Sequence, residues 1–415
     1  MTFEIALTGL NSSSKKLGVV ANNIANANTV GFKQSRAEFQ DIYAISNMGP
    51  GKTQAGSGVQ VSNVRQLFTQ GNVDFTESNL DLAIGGQGYF RMSDAGSIVY
   101  TRAGMFGMNR DGMIVNADGL NLTGYGIDDN GAVIPALQNL KIDLANLPAK
   151  ASSEVTMGLN LDAGVGAPVV AFDPANANSF NFSTSVTFYD SQGTSHIANM
   201  YFIKQAAPVN SWESLTYVNG AQRNAGGAGP NGGDVLTFDL NGVLTDINGA
   251  PGGTGTTALF QPTPATAPLT LALNYGQTTQ FTGEFGVNKL TVDGFSSGRL
   301  TDVSVESNGM IFGRYTNGQS RVMGQVVLSN FANQEGLRPV GNSNWVESFD
   351  SGSPATGTPG SASLGMLQAS ALEQSNVDIT KELVDMIAAQ RSFQANAQVV
   401  SVADQLTQAV INIRR

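Results

Sequence analysis
The sequence predicts a mainly β protein with α-helical ends: two β-rich domains, the second inserted into the first, and a coiled-coil-like helical domain formed by the N- and C-terminal segments. Three observations carry this reading. Glycine, 49 of 415 residues, stands with abundant Thr, Asn, Ser and Val, a mixture that favours short strands and tight turns. Through the middle of the chain short apolar runs alternate with turn residues. At the two ends, apolar residues recur with a period near 3.5, the spacing of a helix that lies along another helix.

The N-terminal seam is Phe3, Leu7, Leu10, Ser14, Leu17, Ala21 and Ile24, in alternating steps of four and three. Asn11, Ser12, Ser13, Ser14 and Gly18 weaken its helix propensity. It stops in an Asn-rich run ending at Gly31, residues that accept capping and left-handed geometry. The C-terminal seam is Ile379, Leu383, Met386, Gln390, Phe393, Ala397, Val400, Ala403, Leu406, Val410 and Ile413, with one slip at Ala403. Neither Gly nor Pro interrupts it, and its helix reaches ~50 Å. An antiparallel pair brings the two ends together. The N-terminal side is short, so the ends are expected to order fully only when neighbouring copies supply more apolar surface; an ordinary intramolecular helical hairpin is the alternative. Gln390 and Arg391 interrupt the seam either as a polar position that fixes helix register, the preferred reading, or as a face toward solvent or a channel.

Composition excludes several classes. Charged residues are 13% of the chain and the net charge is −10, which argues against nucleic acid and against anionic membrane surfaces. With no cysteine there is no thiol catalysis, disulfide or Cys-ligated metal. The N-terminus lacks the basic start and apolar run of a cleaved secretory signal, and no apolar stretch reaches ~18 residues, so no membrane insertion is expected.

Between the seams, 72–144 alternates strands and turns: Leu82-Ala83-Ile84, then Gly85-Gly86-Gln87-Gly88, then Tyr89-Phe90-Arg91-Met92, with further turns at Asn109 to Gly112 and Ala117 to Gly119. Gly85 to Gly88 reads as a strand-to-strand turn, because no helix signal follows it to make a nucleotide loop. A change of composition marks 145–284 as an inserted outer β domain, with a strand pair around Asp190-Ser191-Gln192-Gly193. The first β domain then resumes over 285–340. Segments 31–71, with Phe39, Ile42, Tyr43 and a Gly-rich gap at Asn47 to Gly51, and 341–371, rich in Gly, Ser, Pro and Thr, read as connectors. The helical domain is 1–30 with 372–415.

No constellation supports catalysis, a metal or a cofactor. The one histidine, His196, reads as a solvated strand residue or turn neighbour. Asp128-Asp129-Asn130-Gly131 lacks the first and twelfth ligands of a calcium loop, and Gly51-Lys52-Thr53 lacks the upstream Gly of a phosphate loop. Carboxylates such as Asp74, Glu77, Asp81, Asp94 and Asp118 are scattered, with no motif to pair them for hydrolysis.

Two terminal motifs carry a resemblance. Ala21 to Lys33 (ANNIANANTVGFK), with Asn22, Asn23, Asn26, Gly31 and Phe32, resembles the N-terminal signature of the bacterial flagellar rod and hook axial proteins. Asn376, Val377 and Asp378, followed by Gln390 and Arg391, resemble that family's C-terminal signature. NLDLAIGGQGYF, YTRAGMF and DGMIVNADG are similar to its shared β domain, and SVTFYDSQGTSH to the insert of its hook members, which the distal rod members lack. The resemblance implies a non-enzymatic hook subunit outside the cell, polymerising with itself into a curved torque-transmitting tube. It also implies export through the flagellar type III apparatus without a cleaved signal, and partners in the distal rod, hook cap and hook–filament junction proteins. A distal rod protein is the rival within the family; a secreted β-rich adhesin leaves both seams unexplained.

Overall fold
The computed structural model describes residues 2–42, 56–94, 96–128, 131–262 and 266–413. It is mainly β with a helix at each end: α1, Thr2–Ala25, and α2, Ile379–Ile413. The chain divides into two compact units. The first comprises 1–144, 302–313 and 320–415, and the second 145–301 with 314–319. The Gly-rich gap at 47–51, Tyr43, the 51–53 tripeptide, Asp129 and Asn130 lie outside the described residues. The flanks of the last pair close a turn, Gly131 N–H donating to the Asp128 carbonyl at 3.0 Å.

The second unit is larger than the insert expected from sequence. Strand Gly286–Val292, assigned by sequence to the resumed first domain, pairs antiparallel with Glu154–Asn160. Phe285 stacks on Phe182 with ring centroids 4.7 Å apart. The boundary therefore moves from 284 to 301, because the strand that closes the inner sheet comes from the returning chain. A seven-stranded sheet and a four-stranded sheet bury one core between them, containing Trp212, Phe188, Phe202, Met157 and Tyr275. Trp212 Nε1 donates to Gln280 Oε1 at 3.1 Å, and Tyr275 shares a hydrogen bond with Ser214, so both large polar tips are satisfied inside the core. Asp190 to Gly193 forms the expected hairpin turn between Phe182–Tyr189 and Ser195–Lys204. His196 is not solvated: it is buried, with Nε2 3.0 Å from Asp190 Oδ2, holding that turn.

The first unit keeps its core where strands Tyr89–Asp94, Ser97–Thr101 and Asn344–Val346 meet. Tyr89, Tyr100, Phe331 and Trp345 meet edge-on there, the geometry that ring quadrupoles favour. Both expected connectors turn out to be strands of this unit. Segment 31–71 holds a hairpin, β1 (Ser35–Asp41) and β2 (Val59–Gln66), lying along α1. The tie is polar: Val59 N–H donates to Thr8 Oγ1 at 3.3 Å. Segment 341–371 supplies the buried Trp345, the strand Ala355–Gly357 and the strand Met366–Ala369, which pairs with Leu82–Gly85. Ala371–Glu373, assigned to the helical domain, instead pairs with Val73–Phe75. The Gly-rich gap in the first segment and the Gly, Ser, Pro and Thr of the second made these strands look like linkers.

One carboxylate ties the ends of the second unit's chain. Asp293 accepts from the Ser153 and Glu154 N–H groups, from Ser153 Oγ, and pairs with Lys150 at 3.1 Å. Its partial burial raises its pKa, but these donors together outweigh that and hold the carboxyl at about 2. The folded value lies below the unfolded one of ~3.9, so the contribution is fully present above pH ~4 and is lost as pH falls toward 2. We expect Asp293→Asn to flatten the fall in Tm between pH 4 and 2, measured by circular dichroism. An unchanged slope would show that the carboxylate is not the group that titrates there.

Candidate functional site
α1 ends in its asparagines: Asn26 N–H and Nδ2 both donate to the Asn22 carbonyl, at 3.1 and 2.9 Å. α2 starts on Asp378, whose Oδ1 accepts from the Thr380 and Lys381 N–H groups at 2.9 and 3.2 Å, capping donors that a helix start leaves unpaired. The two helices run antiparallel. Lys16 Nζ meets Asp385 at 3.1 Å, Asn23 Nδ2 meets Glu382 at 3.2 Å, and a side chain on Gly9 would meet Asn396 at 2.8 Å. Both helices lie paired within the one chain, and these polar ties join them.

The contact face is not the apolar seam. On α1 the buried line is Ala6, Ser12, Ser13, Val20 and Asn23. Phe3 and Leu7 are exposed, Leu10, Leu17 and Ile24 half-buried. On α2, Glu382 and Ala389 are buried. Met386, Phe393, Ala397 and Val400 are half-buried, whereas Ile379, Leu383 and Leu406 are exposed. The seam's first half is thus displaced by one residue. Ala389 takes the inward place read for Gln390, and Gln390 and Arg391 both face outward, so neither sets register within this pair. Small side chains win the contact because they let the backbones close, and a Cβ on Gly9 would push the Asn396 carboxamide aside. The signal was present in Gly9, Ser12 and Ser13, which propensity alone reads as weakness. The side chains of Val410 and Ile413 lie outside the description. What remains uncovered on α2 is apolar surface in two groups, Ile379, Leu383, Val384 and Ile387 near its start and Val399, Val402 and Leu406 beyond the exposed Gln390, Arg391, Gln394 and Gln398.

Where the helices meet the β-structure sits a buried ion cluster that sequence reasoning missed. Glu373 is fully buried and holds Lys33 Nζ at 2.6 Å, Arg102 Nη1 at 3.0 Å and the Gly71 N–H at 3.0 Å. Lys33 also donates to the Thr69 carbonyl, and Arg102 to that of Gly86 while lying over the Tyr89 ring. Burial pulls the Lys33 ammonium below its usual range, with Glu373 pulling the other way. Several of the signature residues stand around this cluster, Gln390 and Arg391 excepted. Gly31 takes φ +71°, its N–H donates to the Glu373 carbonyl, and a Cβ there would meet the Ala103 nitrogen at 2.5 Å. Asn23 bonds Ser35 in both directions. Asn376 accepts from the Gln34 N–H and donates to the Leu67 carbonyl. Phe32 and Val377 are half-buried beside them, and Asn22 is exposed.

Among the described residues no group of three His, Cys, Asp or Glu is placed to hold a metal ion, and no helix is long and apolar enough to cross a membrane. The arrangement is one of contact and fastening.

Comparison with known proteins points the same way. Family models match in chain order: the flagella basal body rod protein model over 3–33, the flagellar hook protein FlgE/F/G D1 domain over 83–156, the flagellar basal body protein FlaE D2 domain over 160–295, and the flagellar basal body rod FlgEFG protein C-terminal model over 368–413. These are the domains of flagellar axial proteins. Flagellar hook protein FlgE of Escherichia coli is 36% identical over 422 residues, covering all of both chains. That of Salmonella typhimurium is 37% identical over 419 residues with the same coverage, and that of Borreliella burgdorferi 30% identical over 448 residues, covering 98% of each. The chain belongs to the flagellar hook protein FlgE family. The crystal structure of Helicobacter pylori flagellar hook protein FlgE2, 15% identical, shares the fold with a TM-score of 0.51 over 72% of this chain and all of that one.

Removing one partner from a buried ion cluster leaves uncompensated charge and costs ~3–5 kcal/mol, whereas an exposed pair contributes ~0–1 kcal/mol. Glu373→Ala is expected to lower unfolding free energy by the first amount and Asp385→Ala, in the exposed pair with Lys16, by the second. Urea denaturation followed by circular dichroism separates them; equal effects would demote the cluster.

Proposed function
We propose that this chain is a structural, non-enzymatic subunit of the bacterial flagellar hook. Copies polymerise head-to-tail into a curved, flexible tube that joins rod to filament and transmits torque. The observation that supports this most is the uncovered apolar surface of α2, with Phe3 and Leu7 exposed on α1. These side chains are about half exposed or more, and covering each contributes on the order of 1–2 kcal/mol. Nine per copy, repeated along a polymer, meet the cost of association. A head-to-tail contact that does not close on itself generates a helical tube. In this reading the seam residues from Phe3 to Ile24 and from Ile379 to Ile413 form the tube's inner layer. Bending arises from small sliding between β domains of stacked copies, across contacts sparse in charge. The subunit leaves the cell through the flagellar type III apparatus, its N-terminal region required, and meets the distal rod, hook cap and hook–filament junction proteins at the tube's ends.

Leu383→Glu combined with Ile387→Glu places charge on the outward surface without touching the intramolecular face. The double variant is expected to keep the wild-type Tm within about 2 °C and to form no tubes in electron micrographs, whereas the wild-type chain does. Tubes of normal length from the variant would refute the assignment of this surface.

A further inference from the structure
Seven Asn-Gly pairs stand in the sequence, and six lie within the described residues, with their asparagines at 219, 231, 241, 248, 308 and 317. The pair is chemically labile: the glycine's amide nitrogen can attack the asparagine Cγ, and a residue without Cβ obstructs that approach least. Reaction requires two groups free to meet, the glycine N–H and the asparagine carboxamide. In five of the six pairs both are held. The N–H of Gly232, Gly242, Gly309 and Gly318 each donates to the carbonyl three residues back, at 2.9 to 3.1 Å, and that of Gly249 to Asp246 Oδ1 at 3.2 Å. The five carboxamides are occupied as well, each donating a hydrogen bond at 2.6 to 3.4 Å, as Asn248 does to the buried Asp234.

Asn219 and Gly220 are the exception. They form the two-residue turn between strands Ser211–Val218 and Ala221–Gln222, both in left-handed backbone, φ +50° and +76°. Both are exposed. Among the described residues, neither the Gly220 N–H nor the Asn219 carboxamide has a hydrogen-bond partner. A Cβ built on Gly220 would meet nothing within 4 Å, so water reaches the turn.

We infer that Asn219 is a modification site, where the folded chain deamidates spontaneously ahead of its other Asn-Gly pairs. The Gly220 amide gives its proton to solvent, and its nitrogen bonds to Asn219 Cγ. The side-chain nitrogen takes up a proton and leaves as ammonia, closing a five-membered succinimide. Water then opens the ring at either carbonyl, giving aspartate or isoaspartate. One water is consumed and one ammonia released, with nothing oxidised or reduced. The isoaspartate product routes the backbone through its Cβ and so adds one atom to a turn of only two residues. The pairing of Val218 with Ala221 and of Tyr217 with Gln222 is the contact this strains. Either product adds a negative charge to a chain already at −10. Old and new chains therefore differ first at this turn of the second unit.

The test incubates the full-length folded chain in mildly alkaline buffer and follows each Asn-Gly peptide by mass spectrometry. Trypsin releases Asn219 in the peptide from Gln205 to Arg223. Methyl transfer by an isoaspartyl methyltransferase is the second readout. Every hydrogen bond that must first open adds to the barrier, so residue 219 is expected to convert about tenfold faster, or more, than any of the other five. The rate is expected to rise with pH, because the attacking nitrogen must lose its proton. Asn219→Gln, whose ring would have six members, is expected to remove the early product. In urea all seven pairs are expected to react at similar rates, since the fold alone separates them; this comparison of folded and unfolded wild-type chain needs no variant. Conversion at another pair first, or equal rates in the folded chain, would overturn the inference. So would an intact amide at 219 in folded chain after the unfolded chain has reacted.

Discussion

Everything in the first unit converges on the carboxylate of Glu373. It sits at the end of a short strand paired with Val73–Phe75, five residues before the cap of α2, and receives a lysine from the loop after α1 and an arginine from the β-structure. The Gly71 N–H completes the set. Three stretches of chain more than two hundred and fifty residues apart in part are thereby fixed to one point, as the separations of 340 and 271 residues for the two ion pairs record. With two cations against one anion in a dry site, the cluster leans on the backbone carbonyls of Thr69 and Gly86, which accept further protons from Lys33 and Arg102. The close turn at Gly31 exists to deliver Lys33 there.

From that anchor the helices leave with their geometry set by polar and small residues. Asn23, Gln34 and Glu382 form the next layer out, Lys16 and Asp385 the next, and Gly9 against Asn396 the last. Specificity of pairing is thus assigned to hydrogen bonds and close approach, and the hydrophobic residues are left for another use. A pairing built on the apolar seam would have been stronger within one chain and would have left little for a neighbour.

Helix location was legible because long uninterrupted periodicity is a strong signal: both α2 bounds follow from Ile379 and Ile413. The turns at Gly85 to Gly88 and Asp190 to Gly193 were legible from their Gly and Asp. Which face of each helix turns inward was not. Seam apolarity points outward here, and a one-residue shift is only 100° of rotation. The ion cluster was illegible for a different reason. Lys33, Arg102 and Glu373 look like ordinary surface charges in sequence, and only the fold shows them dry and adjacent. The same holds for the boundary at 301, set by a strand partner 130 residues away that local composition does not announce.

The helices are unequal, 24 residues against 35. Gly9 lies opposite Asn396, so α1 runs out near Ala403 and Asp404 to Ile413 continue without α1 alongside, a length of about 15 Å. The end of α2 is therefore a cantilever: ten residues of bare rod rooted at one end in the antiparallel pair and unaccompanied by α1 at the other.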